Sequence, residues 1–325
     1  MQFFDRGGNL RHHEEKRVDQ IKLRAAELEV ELTPAIGGRI SQIRHRQCAS
    51  FPDLLIDKKL WESRARARTI TSSGIEGPGS SDTGSLQWGC YPMAPWPGRI
   101  ADGRFSFEGN SFTLPANFGS SAIHGTAFAE PWTVVSSSER EADLEYPLGE
   151  AWPWRGKVRQ SVEVSENVLA LTLEIHAEPG QRFPAGAGWH PWFSRRGGNP
   201  RVEVKSSEYF ETDEELIPTG RLVRVHDSSD LTESPTLDDR RLDQVYANPI
   251  WPIAVEWHDL RIEISASTNA SCVCLYTPPE GFCIEPMTCA ANAFNAGGDA
   301  RAFGAAVVDS NSPLIVRSWM RFWPR

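Results

Sequence analysis

The stretch that best indicates the fold class is Val162-Glu163-Val164-Ser165-Glu166-Asn167-Val168-Leu169-Ala170-Leu171-Thr172-Leu173-Glu174-Ile175. Val162 and Val164 alternate with polar residues, and after the polar interruption at 165–167 every second residue from Leu169 to Ile175 is apolar. Alternation with a period of two is typical of a half-buried strand. Two such segments on either side of a polar turn predict a β-hairpin.

The same alternation recurs along most of the chain. It begins at Ala26, where apolar residues at even positions alternate with glutamates, and it returns in the segments 105–114, 255–264 and 314–322. Helical periodicity over more than three turns is hard to find. Many short strands separated by Gly, Pro, Asn and Ser predict an all-β sandwich or barrel rather than alternating βα units.

Domain boundaries are read from composition. Residues 1–25 are charged and mixed, and we interpret them as a solvated lead-in or a short helix. Residues 26–325 are predicted to form a single β-sandwich domain, since 325 residues can bury one large core. The Ser- and Gly-rich segment 72–81 is interpreted as a long surface loop within that domain.

Charge and hydropathy exclude several classes of partner. The net charge of −9 argues against general affinity for nucleic acid or an anionic membrane, because both require clustered Lys and Arg. No apolar run approaches the roughly 18 residues of a membrane-spanning helix. The first residues lack the basic and apolar regions of a secretion signal. We therefore expect a cytoplasmic protein, either a monomer or a homodimer.

The six cysteines are widely spaced, and Cys272 and Cys274 form the one close pair. No Cys-x-x-Cys pair is followed by a second such pair, as structural zinc sites require. We predict free buried thiols rather than zinc ligands or disulfides.

The most conspicuous candidate for chemistry is His190 in Gly186-Ala187-Gly188-Trp189-His190-Pro191-Trp192-Phe193. Pro191 favours an extended conformation for His190, so the imidazole has a defined direction. The surrounding rings make a partly dry environment in which its pKa can be tuned for proton transfer. The alternative is a core histidine satisfied by a backbone carbonyl.

Three further residues could bind a polyhydroxylated ligand. Arg99 offers a planar fork of donors, His124 directly precedes a glycine, and Asp243 can accept two hydroxyl hydrogen bonds. Each has a structural alternative: a surface arginine packed on Trp96, a structural histidine, and a turn or cap carboxylate.

Glu285 is the fifth candidate. It follows Phe282-Cys283-Ile284, so it emerges from an apolar strand, where a carboxylate is unfavourable unless it is paired or its pKa is raised. This predicts a general base, with a paired structural glutamate as the alternative. The spacing of His124, His190 and Glu285 does not support a metal site, and we expect no bound metal.

Taken in order, six segments resemble the aldose 1-epimerase family, also called galactose mutarotases. They span most of the chain, from about residue 36 to 292–295, and are Gly37-Gly38-Arg39-Ile40, Pro95-Trp96-Pro97-Gly98-Arg99-Ile100, Ile123-His124-Gly125, Gly188-Trp189-His190-Pro191-Trp192-Phe193, Leu242-Asp243 and Ile284-Glu285-Pro286-Met287-Thr288.

The resemblance implies a large antiparallel β-sandwich of the galactose mutarotase type and interconversion of the anomers of a monosaccharide without a cofactor. Glu285 matches the family's general base and His190 its general acid. Arg99, His124 and Asp243 match positions that hold sugar hydroxyls. Rings such as Trp96, Trp189 and Trp192 are expected to stack on sugar faces or to belong to the core, and Trp192 is the one assigned to the substrate.

Two departures from the family pattern bear on which hexose is used. Gly98 stands where members commonly carry Asn, and 117–122 replaces a longer Asn-Gly-rich approach to His124. Two other functions remain open. One is a non-catalytic sugar-binding module or sensor. The other is a hydrolase or lyase using Glu285 with Asp243.

Overall fold

The computed structural model describes residues 19–48, 53–59, 61–62, 83–238, 240–296 and 303–325. The strands in chain order are β1 (Ile21–Ala25), β2 (Leu28–Thr33), β3 (Arg39–His45), β4 (Cys90–Met93), β5 (Arg99–Ile100), β6 (Arg104–Phe107), β7 (Asn110–Thr113), β8 (Ala122–Ile123), β9 (Thr133–Ser137), β10 (Glu141–Leu148), β11 (Gly156–Ser165), β12 (Val168–Ala177), β13 (Arg182–Ala185), β14 (Gly188–Phe193), β15 (Arg201–Lys205), β16 (Glu208–Thr212), β17 (Pro218–Arg224), β18 (Asp243–Ala247), β19 (Ile250–Glu256), β20 (Leu260–Ala266), β21 (Cys272–Tyr276), β22 (Phe282–Met287), β23 (Ala306–Asp309) and β24 (Leu314–Pro324). Short 3₁₀ helices are formed by Thr83–Leu86, Ala101–Gly103, Asp227–Ser229 and Ala293–Asn295.

Two large antiparallel sheets dominate the structure. The first has ten strands in the order β1-β2-β3-β4-β14-β22-β21-β18-β16-β17, and the second has eight in the order β15-β19-β20-β24-β12-β11-β10-β9. Three two-stranded sheets, β13-β23, β5-β8 and β6-β7, lie beside them. The all-β class predicted from the alternating pattern and the large antiparallel sheets that the resemblance implies are confirmed.

The predicted hairpins are present. Strands β11 and β12 pair in antiparallel register from Gly156↔Ala177 to Ser165↔Val168, with the turn at Glu166-Asn167. The hairpins β6–β7 and β19–β20 likewise occupy the predicted segments. The pairing register of these strands is well defined, because a shift of one residue would turn every buried side chain of the strand to solvent.

The N-terminal boundary was predicted wrongly. Residues 21–25 are the edge strand β1, and Ala26 lies in the turn to β2 with a φ of +48°. The charges there suggested a solvated lead-in, but they are the outward residues of a strand: Lys22 and Arg24 form ion pairs with the glutamates of β2, and the intervening side chains are buried. Residues 1–18 and the predicted loop 72–81 lie outside the described residues.

One hydrophobic core contains inward side chains from both large sheets. Its polar link is Gln160 on β11, which donates to the Gly38 carbonyl at 2.6 Å and accepts from the Trp189 indole of β14 at 3.1 Å. Because buried polar groups are stable only when hydrogen-bonded, this side chain helps fix how the sheets face each other. Side chains on the opposite face of the ten-stranded sheet form a second apolar cluster.

All six cysteines are buried and unpaired, as predicted. None of the helices among the described residues has the length and apolar character needed to cross a membrane.

Candidate active site

A cleft lies on the outer face of the ten-stranded sheet, and adjacent strands form its floor. Because successive side chains of a strand point to opposite faces, every second residue of each strand reaches the cleft. The empty space in the cleft is about 820 Å³ when the open solvent at its mouth is counted. The floor residues are Tyr91 on β4, His190 and Trp192 on β14, Glu285 and Met287 on β22, Cys274 and Tyr276 on β21, and Asp243 and Val245 on β18.

His190 and Glu285 are in direct contact at the bottom of this cleft. The distance from His190 Nε2 to Glu285 Oε1 is 3.2 Å. The two residues are 5% and 3% exposed, yet both line the cavity. They meet because β14 and β22 are neighbouring antiparallel strands. The pair can therefore exchange a proton with each other and with a ligand in the cleft.

Burial shifts the pKa values of the two groups in opposite directions. It raises the pKa of Glu285 well above its ordinary value, and the nearby Asp243 carboxyl adds to the rise, while a hydrogen bond from Cys274 and the charge of Arg99 oppose it. Burial lowers the pKa of His190 well below its ordinary value, and the positive charge of Arg39 adds to this. Both shifts favour a pair with one proton and no net charge.

Aromatic rings fix the orientation of the His190 imidazole. Tyr91 stacks on it at a centroid distance of 4.9 Å and Trp192 at 5.5 Å. Trp192 is itself held by an indole hydrogen bond to the Leu86 carbonyl at 2.7 Å, and the Tyr91 hydroxyl donates to the same carbonyl at 3.0 Å. The imidazole is thus confined, as a proton-transfer group requires.

His124 lies edge-on to His190, with ring centroids 5.0 Å apart. The Gly98 amide donates to His124 Nδ1 at 3.2 Å, and the His124 amide donates to the Gly98 carbonyl at 3.0 Å. Burial, with a contribution from Arg99, lowers the pKa of His124 to about 3. A neutral ring that accepts at Nδ1 carries its proton on Nε2, so His124 is a fixed donor.

Arg99 and Asp243 both line the cleft. The Arg99 guanidinium lies 5.4 Å from the centre of the Phe118 ring. Asp243 is exposed at the start of β18, but the surrounding protein still raises the pKa of its carboxyl, an effect that Arg99 opposes. These two residues supply charged donors and acceptors above the His190–Glu285 pair.

All six residues predicted for the site, Arg99, His124, His190, Trp192, Asp243 and Glu285, line this one cleft. Of the two alternatives left open for Trp96 and Trp189, the structure supports the core and not the sugar-facing position. Trp189 and Trp192 lie three positions apart on β14, so they point to opposite faces of the sheet. Trp189 points into the core, where its indole donates to Gln160. Trp96 stacks on Trp152. The indole of Trp192 lies mostly against His190.

Sequence reasoning missed several residues of the site. Tyr276 faces the cleft because it continues the alternation of Cys274 on β21, a signal present in the sequence. Gln87, Phe118 and Leu216 come from loops, and no local pattern places them there. Arg39 is fully buried behind Tyr91 and donates to the carbonyls of Trp88 and Phe128, which fixes the loops around the cleft.

Three metal-binding side chains also meet at this point. One donor atom each from His190, Cys283 and Glu285 lies within 4.8 Å of the others. Sequence spacing could not reveal this group, because Cys283 and Glu285 are two residues apart on β22 while the histidine comes from the next strand.

Comparison with known protein families gives one match. The model of the family described as aldose 1-epimerase matches residues 79–303, which is more than half of the chain. That segment contains all six residues of the cleft that were predicted from the sequence.

Curated relatives are distant. The uncharacterized protein YihR of Escherichia coli is 26% identical over 223 residues, which cover 64% of this chain and 72% of that protein. The galactose mutarotase of Rattus norvegicus is 29% identical over 138 residues, which cover 39% and 40% respectively. The chain thus matches less than half the length of the rat protein.

Solved structures share the fold over nearly the whole chain. A galactose mutarotase-like protein from Clostridium acetobutylicum has a TM-score of 0.78 at 16% identity, covering 94% of this chain and 95% of that one. The GalM/aldose epimerase homologue from Caenorhabditis elegans has a TM-score of 0.76 at 15% identity, covering 94% and 98%. At these identities the likeness shows that the two sheets are those of the galactose mutarotase fold.

Proposed function

Because the chain belongs to the aldose 1-epimerase family, we propose that it interconverts the α and β anomers of a free aldose, a hexose such as glucose or galactose. The observation that carries this proposal is the 3.2 Å contact between His190 Nε2 and Glu285 Oε1 at the bottom of the open cleft. An acid and a base are thus adjacent on the floor of a cleft that is open to solvent.

The reaction needs two proton transfers at neighbouring oxygens. The anomeric hydroxyl and the ring oxygen are bonded to the same carbon, so a base and an acid in mutual contact can serve both. Glu285 takes the proton of the anomeric hydroxyl while His190 protonates the ring oxygen, and the C1–O5 bond breaks. After rotation about C1–C2, the ring closes on the other face with the roles of the two groups exchanged.

One proton on the pair is sufficient for this cycle. When it rests on Glu285, transfer across the 3.2 Å contact places it on His190 and leaves the carboxylate ready as the base. The raised pKa of Glu285 disfavours loss of this proton, and the lowered pKa of His190 disfavours binding of a second one. No covalent intermediate is required.

The remaining cleft residues are proposed to hold the sugar. Arg99 and the Nε2–H of His124 donate to hydroxyls, Asp243 accepts from them, and Trp192 offers its ring edge beside His190. Keeping the open-chain aldehyde in place removes much of the entropic barrier to ring closure. A hydrolase using Glu285 with Asp243 is disfavoured, because it would leave the His190–Glu285 contact without a role.

The test is saturation-transfer NMR or polarimetry on freshly dissolved α-glucose, α-galactose and their 6-phosphates. The wild type is expected to accelerate anomer exchange of at least one sugar. Glu285→Gln and His190→Asn are each expected to reduce kcat by about 10² to 10⁴, the usual contribution of a positioned acid or base.

A second histidine–glutamate pair provides the matched control. His176 Nε2 lies 2.7 Å from Glu174 Oε2 on β12, and both side chains are partly exposed, away from the cleft. His176→Asn and Glu174→Gln should leave the rate unchanged. The proposal fails if no sugar responds, or if substitutions at the two pairs have equal effects.

A further inference from the structure

We propose that His190, Cys283 and Glu285 form a binding site for a borderline-soft divalent cation such as Zn²⁺. A cation bound at this site would inhibit the enzyme. One ligand atom from each residue lies within 4.8 Å of the others, and all three residues are buried. The inhibitory part of this proposal rests on the isomerase function proposed above, whereas the binding part does not.

The donor set selects the kind of cation. An imidazole nitrogen, a thiolate sulfur and a carboxylate oxygen are the ligands of zinc sites, with bond lengths of about 2.0 to 2.3 Å. Mg²⁺ and Ca²⁺ prefer oxygen ligands alone. Because the three atoms lie within 4.8 Å of one another, only small movements would bring all of them within bonding distance of one metal ion. Water from the cleft would occupy the fourth coordination position.

The ligands come from rigid elements. Cys283 and Glu285 are two residues apart on β22, so both side chains point to the same face, and His190 comes from the neighbouring strand β14. The other imidazole nitrogen, Nδ1, is buried and has no hydrogen-bond partner among the described residues. Metal binding by this imidazole would therefore break no hydrogen bond at Nδ1.

Charge balance favours a divalent ion at this buried point. Binding replaces the thiol proton of Cys283 and the proton shared by Glu285 and His190, and both leave to solvent through the cleft. Thiolate and carboxylate then neutralise the two charges of the cation, and the imidazole is neutral. A monovalent ion would leave one anion uncompensated in a dry environment.

Inhibition follows from the shared ligands. The nitrogen and oxygen lone pairs that would bind the cation are those that move protons in the proposed reaction. Cys283 does not line the cleft and has no part in that reaction. A Cys283 variant should therefore keep its basal activity and lose its sensitivity to zinc.

The experiment titrates the full-length protein, first freed of metal by chelation, with Zn²⁺, Co²⁺ and Mg²⁺ separately. Calorimetry should show one Zn²⁺ bound per chain and none of Mg²⁺. Co²⁺ should give a sulfur-to-cobalt charge-transfer band, which identifies a thiolate ligand. Anomer exchange should stop at one equivalent of Zn²⁺.

Cys283→Ala is expected to weaken zinc binding by at least about 100-fold, since loss of even an outer-shell partner lowers metal affinity roughly 10- to 100-fold. Cys283→Ser repeats the test with a side chain of nearly unchanged volume if the alanine variant misfolds. Cys48→Ala, a buried thiol beside Asp259, is the matched control and should bind like the wild type.

Unchanged zinc affinity in Cys283→Ser, or a cobalt complex without the charge-transfer band, would overturn the site. Zinc binding by a protein that exchanges no sugar anomers would instead refute the proposed function and leave the site standing.

Discussion

His190 and Glu285 owe their chemistry to burial. Each is an ordinary titratable side chain, but the dry floor of the cleft disfavours the charged form of both. The pKa of the carboxyl therefore rises and that of the imidazole falls, and both shifts favour a state in which the two groups, 3.2 Å apart, share a single proton. A pair in this state contains both an acid and a base.

The pH profile of kcat/KM should reveal these shifts. Activity requires one proton on the pair, so it is lost as pH falls through the lowered pKa of His190, when a second proton binds and no base remains. It is also lost as pH rises through the raised pKa of Glu285, when the last proton leaves. We expect a broad, bell-shaped pH profile of kcat/KM in which the loss of activity on the acidic side occurs below pH 6.5.

Asp243→Asn provides an internal check on this assignment. The Asp243 carboxyl contributes to the raised pKa of Glu285, so its removal should move the alkaline limb to lower pH, whatever its effect on substrate binding. An acid limb centred on the ordinary histidine value of about 6.5, or an alkaline limb unmoved by Asp243→Asn, would contradict the account.

At the scale of elements, tight backbone packing positions the cleft walls. Gly125, which follows His124 and β8, has a φ of +80°, and a Cβ there would lie 1.9 Å from the Ala94 carbonyl oxygen. That oxygen accepts the amide hydrogens of Thr126 and Ala127. The glycine thus allows the segment that carries His124 to lie against the end of β4.

Gly125→Ala is predicted to lower the free energy of unfolding more than Gly109→Ala does, as measured by urea denaturation. Both glycines have a φ of +80°, but a Cβ at Gly109, in the β6–β7 turn, would meet nothing within 4 Å. Positive φ costs roughly 1–2 kcal/mol at either position, and the overlap with Ala94 adds roughly 1–3 kcal/mol at Gly125 alone. Equal losses would show that the backbone contact is unimportant.

For the whole molecule, stability depends on the sheet-to-sheet core and not on covalent links. All six cysteines are free and buried. Burial also raises the pKa of Cys90 and of Cys272 to about 12, which keeps these thiols in their unreactive protonated form.

A thiol reagent should therefore label the native protein slowly and all six cysteines after denaturation, and the thermal midpoint should be the same with and without reductant. Mass spectrometry after alkylation under native and denaturing conditions gives the count. Rapid labelling of the native protein, or a midpoint lowered by reductant, would be inconsistent with six buried free thiols.

The sequence by itself determined the fold class and the identity of six of the residues that line the cleft. Period-two alternation is a local property, so the hairpins β11–β12, β6–β7 and β19–β20 could be predicted from it. The family resemblance assigned the site to residues in segments such as 95–100, 188–193 and 284–288. These residues do line one cleft. The same alternation also separates Trp189 from Trp192. One position is odd and the other even on the same strand, so the two side chains point to opposite faces of the sheet.

Only the tertiary structure decided what meets across strands that are distant in sequence. The order β4-β14-β22-β21-β18 brings His190 against Glu285 and Cys283, and no local pattern specifies which strands become neighbours. The tertiary structure also shows that the charged residues in 21–25, which suggested a solvated lead-in, form ion pairs with the neighbouring strand. The physical reason is that pairing between strands depends on the packing of whole faces, whereas a sequence pattern reports only which side of its own strand each residue occupies.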